Sequence, residues 1–308
     1  MKSVIQSILA IIILSACSAG LSLKNSSSLV QVNAPAGNFL GEGEENFYVF
    51  KGIPYAQPPV GDLRWKAPKN LSAKDEVIDA TKFKSECIQP GTEGLIPNRN
   101  VSVGSEDCLY LNIYIPKNQT DLDKNQFPVM FWIHGGSNIW GSGDFYDFSK
   151  LVTTQQVIVV TINYRLGLFG WFSSEHLRNT ATGLDKSSNF GQLDLIKGLE
   201  WVQENISAFG GDKDNITIFG ESAGGHNVLT LLASPLSEGL FHKAISQSGY
   251  VSSYTQKFAE EESELSSKKI FAEETKFLVS DAEVADYLRS LSSEEVYQKY
   301  VAKAEEHI

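Results

Sequence analysis

One stretch restricts the fold of this chain more than any other. The β-branched run Asn215-Ile216-Thr217-Ile218-Phe219 leads directly through Gly220-Glu221-Ser222-Ala223-Gly224 into a helical pattern, Ala223 to Ala233, which Ser234-Pro235 stops. Strand, Gly-x-Ser-x-Gly turn and helix in that order are the setting of a nucleophile elbow. Small residues at 220 and 224 let strand and helix approach closely. Ser222 is then held in a strained backbone conformation, and its hydroxyl is pushed out above the sheet.

A second glycine-rich turn, His134-Gly135-Gly136-Ser137, follows an apolar run that ends at Ile133. When a hydroxyl attacks an ester carbonyl, negative charge collects on the carbonyl oxygen. Main-chain N–H groups already aimed at that oxygen stabilise it, and losing one donor raises the barrier by about 2.7–4 kcal/mol. A turn of this kind presents successive amides at a strand end, and the N–H of Ala223 joins them.

The flanking sequence supplies the sheet. Phe127 to Ile133 and Val157 to Ile162 are nearly unbroken apolar runs, as expected of strands buried on both faces. Leu109 to Ile115 alternates as a strand that Pro116 ends. Leu29-Val30-Gln31-Val32 and Phe47-Tyr48-Val49-Phe50 read as an antiparallel pair with a Gly-rich connection, and Ala244 to Ser248 as a further short strand. Leu193 to Ile206 carries apolar residues at helical spacing, and Lys257 to Ala304 reads as two or three charge-rich amphipathic helices. Strands alternating with helices predict an α/β fold, a mostly parallel twisted sheet flanked by helices.

A chain of 308 residues has no difficulty in building a core. Its 26 basic and 37 acidic residues leave a net charge of −11, with no basic patch, which argues against a nucleic-acid partner. No His-Glu-x-x-His or clustered ligand motif is present, and no metal or cofactor is expected. Residues 1–19 read as a signal peptide region: Met1-Lys2 precedes an apolar run from Val4 to Leu14, too short to span a bilayer. The run ends in Leu14-Ser15-Ala16-Cys17, which resembles the lipobox of bacterial lipoproteins. That resemblance implies acylation of Cys17 and a lipid anchor at the bacterial cell envelope. Cleavage after Ala19, with secretion, is the alternative. Residues 20–28 read as a tether, which leaves 29–308 for the globular domain. Asn25, Asn70, Asn100, Asn118, Asn205 and Asn215 begin Asn-x-Ser/Thr triplets, which leave the host type open.

Together these motifs resemble the type-B carboxylesterases, the family of the α/β-hydrolase fold that includes the cholinesterases. The likeness runs through Gly52-Ile53-Pro54-Tyr55-Ala56-Gln57-Pro58-Pro59-Val60-Gly61, Ser105-Glu106-Asp107-Cys108-Leu109, Asn163-Tyr164-Arg165-Leu166-Gly167 and Phe209-Gly210-Gly211-Asp212 into the elbow. It implies that Ser222 is the nucleophile of an acyl-enzyme mechanism on a small carboxylic ester, and that the amides of Gly136, Ser137 and Ala223 form the oxyanion hole. The family usually has a third glycine where Ser137 stands. A serine amide still donates, but a backbone angle suited to glycine carries strain. Cys87 and Cys108 resemble the family's first disulfide. Arg64 and Glu106 match a buried ion pair, and Glu221 matches an acidic residue that tunes the site, or is a simple elbow spacer. Ile88 to Asp107 contains no aromatic residue on which a cationic substrate would rest, so choline-type specificity is unsupported.

The likeness covers only the N-terminal part of the family's domain. A serine needs a histidine to take its proton and an acid to orient that histidine, and in α/β-hydrolases both follow on later strands. After Ser222 the chain offers three histidines. His226 recedes along the helix, His242 precedes a strand without a loop motif, and His307 is penultimate. His134 belongs to the glycine turn, and His176 reads as a polar loop residue. The acids of the last 50 residues read as solvated helix faces. A C-terminally truncated domain is therefore expected, its acid and histidine supplied by a downstream or second polypeptide, with Ala244–Ser248 left as an exposed edge. Two functions compete. One is a serine ester hydrolase, weakly active or inactive alone; the other is a non-catalytic, lipid-anchored binding module of the same fold. Neither oligomeric state nor acyl and alcohol preference is encoded in a motif.

Overall fold

Side chains that alternate across a strand but are apolar on both sides need cover on both faces, and the middle of this chain builds its sheet that way. The structure, a computed structural model, describes residues 28–72, 74–93, 96–117 and 126–306. The signal region, Cys17, the tether before Ser28, Asn25, Asn118 and His307 lie outside the described residues. The strands are β1 (Ser28–Ala34), β2 (Gly37–Gly43), β3 (Phe47–Pro54), β4 (Lys74–Asp79), β5 (Gln89–Glu93), β6 (Ile96–Val103), β7 (Tyr110–Pro116), β8 (Phe127–Ile133), β9 (Ile158–Ile162), β10 (Gly211–Glu221) and β11 (Lys243–Gln247). The main sheet runs β1-β2-β3-β7-β9-β8-β10-β11, with β4 beside β2, and β5–β6 form a separate hairpin.

The sheet is mixed. β1, β2, β3, β7 and β9 pair antiparallel in turn. The half that carries the glycine turn and the elbow, β9-β8-β10-β11, is parallel. In that half, successive residues enter opposite cores. Phe131, Ile133, Val160, Ile162 and Ile218 share an apolar cluster with Leu195, Leu199 and Val202 of the helix Phe190–Asn205. Trp132, Val159 and Phe219 pack on the other face with Val152 of the helix Ser149–Gln155. Asp194 of the first helix takes two hydrogen bonds of 2.8 Å from the Arg165 guanidinium, both side chains being buried.

Four sequence expectations are corrected. β1 and β3 do not pair with each other, because the Gly-rich segment between them is itself a strand, β2, bonded to both. Gly41 within it marks close packing rather than a turn: a Cβ there would lie 2.6 Å from the Phe50 ring. Lys257 to Ala304 forms five helical segments; the last two, Asp281–Ser290 and Ser293–Glu305, each begin with a serine–glutamate capping box. His176 is not a loop residue but lies on the helix Glu175–Asn179, its Nδ1 2.6 Å from Asp281 Oδ1. Nor are all the late acids solvated. Glu260 is buried against Arg178 and Ser173, which hold its carboxyl below the usual range against the upward push of burial. Among the candidate glycan acceptors, Asn205 is buried and bonded to Ala36 N–H and the Trp201 carbonyl, so the fold closes that site.

Arg64 and Glu106 form the expected buried pair, with Nε donating to Oε2 at 2.7 Å. Arg64 also donates to the Leu291 carbonyl at 2.6 Å, which ties the C-terminal helices to the body of the domain. Cys87 and Cys108 are joined as a disulfide, their Cα atoms 4.9 Å apart.

Candidate active site

In-register parallel pairing brings the two glycine turns to one edge of the sheet. Gly220 stands opposite both Ile133 of β8 and Ser246 of β11, so the chain leaves β8 and β10 side by side at their C-terminal ends. Ligand sites of open α/β sheets form at such ends.

Ser222 lies between β10 and the helix Ala223–Ala233 with φ 54° and ψ −121°. A non-glycine residue held there costs about 1–3 kcal/mol and persists only where its surroundings over-determine it. They do so here. The Ser222 N–H donates to the Gln247 carbonyl at 2.9 Å, and its carbonyl accepts from the His226 N–H at 2.9 Å. A Cβ on Gly220 would fall 2.6 Å from the Gly224 carbonyl, and one on Gly225 would fall 2.6 Å from the Gln247 carbonyl. Strand and helix therefore meet as closely as the glycines were expected to allow. Ser222 is half-buried, and Glu221 is exposed.

The His134–Ser137 turn touches the elbow. A Cβ on Gly135 would lie 2.8 Å from the Glu221 carbonyl and 3.2 Å from Ser222 Cβ. Gly136, Ser137 and Asn138 follow with φ of 95°, 57° and 58°. Serine at 137 thus occupies left-handed backbone that glycine would enter freely. The amides of Gly136, Ser137 and Ala223 donate to no protein acceptor among the described residues, and Ala223 opens a helix, where the peptide dipoles favour negative charge.

His134 braces this turn. Its ring is stacked on Tyr164, with centroids 4.3 Å apart, and its Nδ1 lies 2.8 Å from the Gly135 carbonyl. Burial pushes its pKa down to about 4, so the ring is neutral at pH 7. The Tyr164 hydroxyl donates to the His134 carbonyl at 2.6 Å. Gln89, two residues beyond Cys87, exchanges bonds with Gly141: the Gly141 N–H donates to Oε1 at 2.7 Å, and Nε2 donates to the Gly141 carbonyl at 3.1 Å. Asn227 Nδ2 donates to Asn138 Oδ1 at 2.9 Å. Sequence reasoning missed Gln89, Asn138 and Asn227 as supports of the turn, since no motif marks them. Tyr164 was quoted only as part of a resemblance.

The other histidines are engaged elsewhere. His226 meets the Tyr250 ring edge-on at 5.1 Å, His242 Nδ1 accepts from the Ile216 N–H at 3.1 Å, and His176 faces Asp281. Among the described residues no histidine ring hydrogen-bonds the Ser222 hydroxyl, and no group of three or more His, Cys, Asp or Glu is placed to hold a metal ion. No described helix is long and apolar enough to cross a membrane.

Comparison with known proteins gives a consistent picture. The profile of the carboxylesterase family matches residues 28–307. The para-nitrobenzyl esterase of Bacillus subtilis (strain 168) is 47% identical over 220 residues, which span 71% of this chain and 43% of that protein. Carboxylesterase 1E of Rattus norvegicus is 44% identical over 239 residues, 72% of this chain and 41% of that protein. A solved thermophilic PNB esterase superimposes with a TM-score of 0.76 at 38% identity, over 90% of this chain and 55% of its own. The chain thus spans about two fifths of these curated relatives and about half of the solved structure.

Proposed function

The chain belongs to the carboxylesterase family, and from that membership we propose that it supplies the nucleophile and oxyanion hole of a serine hydrolase acting on small carboxylic esters. Ser222 Oγ bonds to the ester carbonyl carbon while its proton passes to a general base. The amides of Gly136, Ser137 and Ala223 receive the developing oxyanion. Collapse of the tetrahedral intermediate breaks the bond to the alcohol, which takes the proton, and water then releases the acid from the acyl-enzyme. No described histidine ring hydrogen-bonds the Ser222 hydroxyl, so we assign the histidine that moves these protons, and the acid that orients it, to a downstream or second polypeptide.

One observation carries this reading: a serine at φ 54° on an elbow that the Gly135 turn touches, with the amides of Gly136, Ser137 and Ala223 donating to no acceptor among the described residues. A non-catalytic binding module is not favoured, because a scaffold has no use for a strained elbow or for unpaired donors. The test is prolonged incubation with p-nitrophenyl acetate, since a chain without its general base acylates only slowly, followed by mass mapping. Acetyl on Ser222, absent from Ser222→Ala, is expected; equal labelling of the alanine variant would refute the assignment.

Export as a lipoprotein acylated at Cys17 is part of the same proposal. Its support is the Leu14–Cys17 motif together with the Cys87–Cys108 disulfide, a bond that needs an oxidising compartment. Metabolic labelling with a fatty acid should mark the wild type and not Cys17→Ser; equal labelling of both would remove the anchor from the account.

A further inference from the structure

We propose that the Asn138–Asn227 amide bridge is a clamp that fixes the spacing between the two sets of oxyanion donors. The proposal rests on the reading of Ser222 and its amides given above, and it makes Asn227 and Asn138 positioning residues. The donors come from separate segments: Gly136 and Ser137 from the turn after β8, and Ala223 from the helix after β10. A site of this kind works only if such groups are held within about 0.5 Å of the productive geometry.

The turn needs an outside hold. Ser137 and Asn138 are consecutive non-glycine residues in left-handed backbone, at φ 57° and 58°. Asparagine visits that region more readily than serine does, so Asn138 is the natural place to grip. Three contacts grip it. Its carbonyl accepts from the Gly167 N–H at 2.7 Å. Its Oδ1 accepts from Asn227 Nδ2 at 2.9 Å and lies 3.4 Å from the Tyr164 hydroxyl.

Asn227 stands five residues beyond Ser222 on the elbow helix and is 2% exposed. A buried amide is unfavourable unless bonded, and its bond crosses from the elbow helix to the turn that holds Ser137. The bridge therefore joins the support of one donor set to the support of the other. It also accounts for a serine where the family usually has glycine: the tie supplies from outside the conformation that glycine would adopt unaided.

Hydrogen–deuterium exchange of residues 134–141 in the full chain tests the clamp. The bonded amides of Ile139, Trp140 and Gly141 report on this turn. Asn227→Leu is expected to speed their exchange at least tenfold. Asn138→Asp, which keeps an acceptor for both donors, is expected to stay within twofold of the wild type. Should the leucine unfold the helix, Asn227→Ser, too short to reach Asn138, serves instead, with the same tenfold change expected. The slow acylation of Ser222 during prolonged incubation with p-nitrophenyl acetate should fall at least tenfold in rate. Unchanged exchange in a folded Asn227 variant would overturn the clamp. Ser222→Ala separates the two readings: if it acylates like the wild type, the nucleophile assignment fails, while the exchange comparison still decides the clamp.

Discussion

The carbonyl oxygen of Ile133 occupies the space that a β-carbon on Gly224 would need. The elbow helix thereby rests on the end of β8, and Ser222 is carried to the same edge of the sheet as the His134–Ser137 turn. Backbone cannot yield as a flexible side chain can, so Gly224→Ala should lower stability by about 1–3 kcal/mol, as overpacking does. Urea unfolding followed by tryptophan fluorescence checks this. An unchanged midpoint would show that strand and helix are less tightly apposed than described.

His134 gives a pH dependence of defined sign. Its pKa in the folded chain, about 4, lies below the unfolded value of 6.5 because the buried ring resists charge. The contribution is fully present above pH 6.5. As pH falls towards 4, the unfolded chain takes up a proton that the folded chain refuses, and about 3 kcal/mol of stability is lost. NMR titration of the ring should show His134 neutral down to about pH 5. A midpoint near 6.5 would contradict its burial.

The Cys87–Cys108 bond closes a loop of sequence separation 21, and in the chain-entropy model this contributes roughly 3 kcal/mol. Unfolding with and without dithiothreitol should differ by that order. No difference would mean that the Gln89–Gly141 bonds alone hold the loop.

β11 has no partner on its outer side among the described residues, and Ile245 is 45% exposed on it. Bare apolar edges pair with other chains, and an edge lysine prevents this. Ile245→Lys should reduce light scattering of the concentrated protein. Equal scattering would place self-association on another surface.

How much of this was legible in the sequence depends on how local the cause is. The elbow was readable because the glycines and serine of that pentapeptide each have a steric task within a few residues. β8 and β9 were readable because burial on both faces leaves an unbroken apolar run. β2 was misread because a glycine pressed on Phe50 and a glycine in a turn look alike in one dimension. The supports of the turn were not legible at all. Asn138 and Asn227 are 89 residues apart, Gln89 and Gly141 are 52 apart, and His176 meets Asp281 across 105 residues, so only the fold brings each pair together.

We propose above all that Ser222 is held beneath a cradle formed by the amides of Gly136, Ser137 and Ala223. The most direct measurement is a crystal structure after prolonged incubation with an aryl phosphonofluoridate. A phosphonyl group on Ser222 Oγ is expected, its free oxygen about 2.7–3.1 Å from those amide nitrogens. An adduct on another residue, or one on Ser222 whose oxygen faces away from the turn, would contradict it.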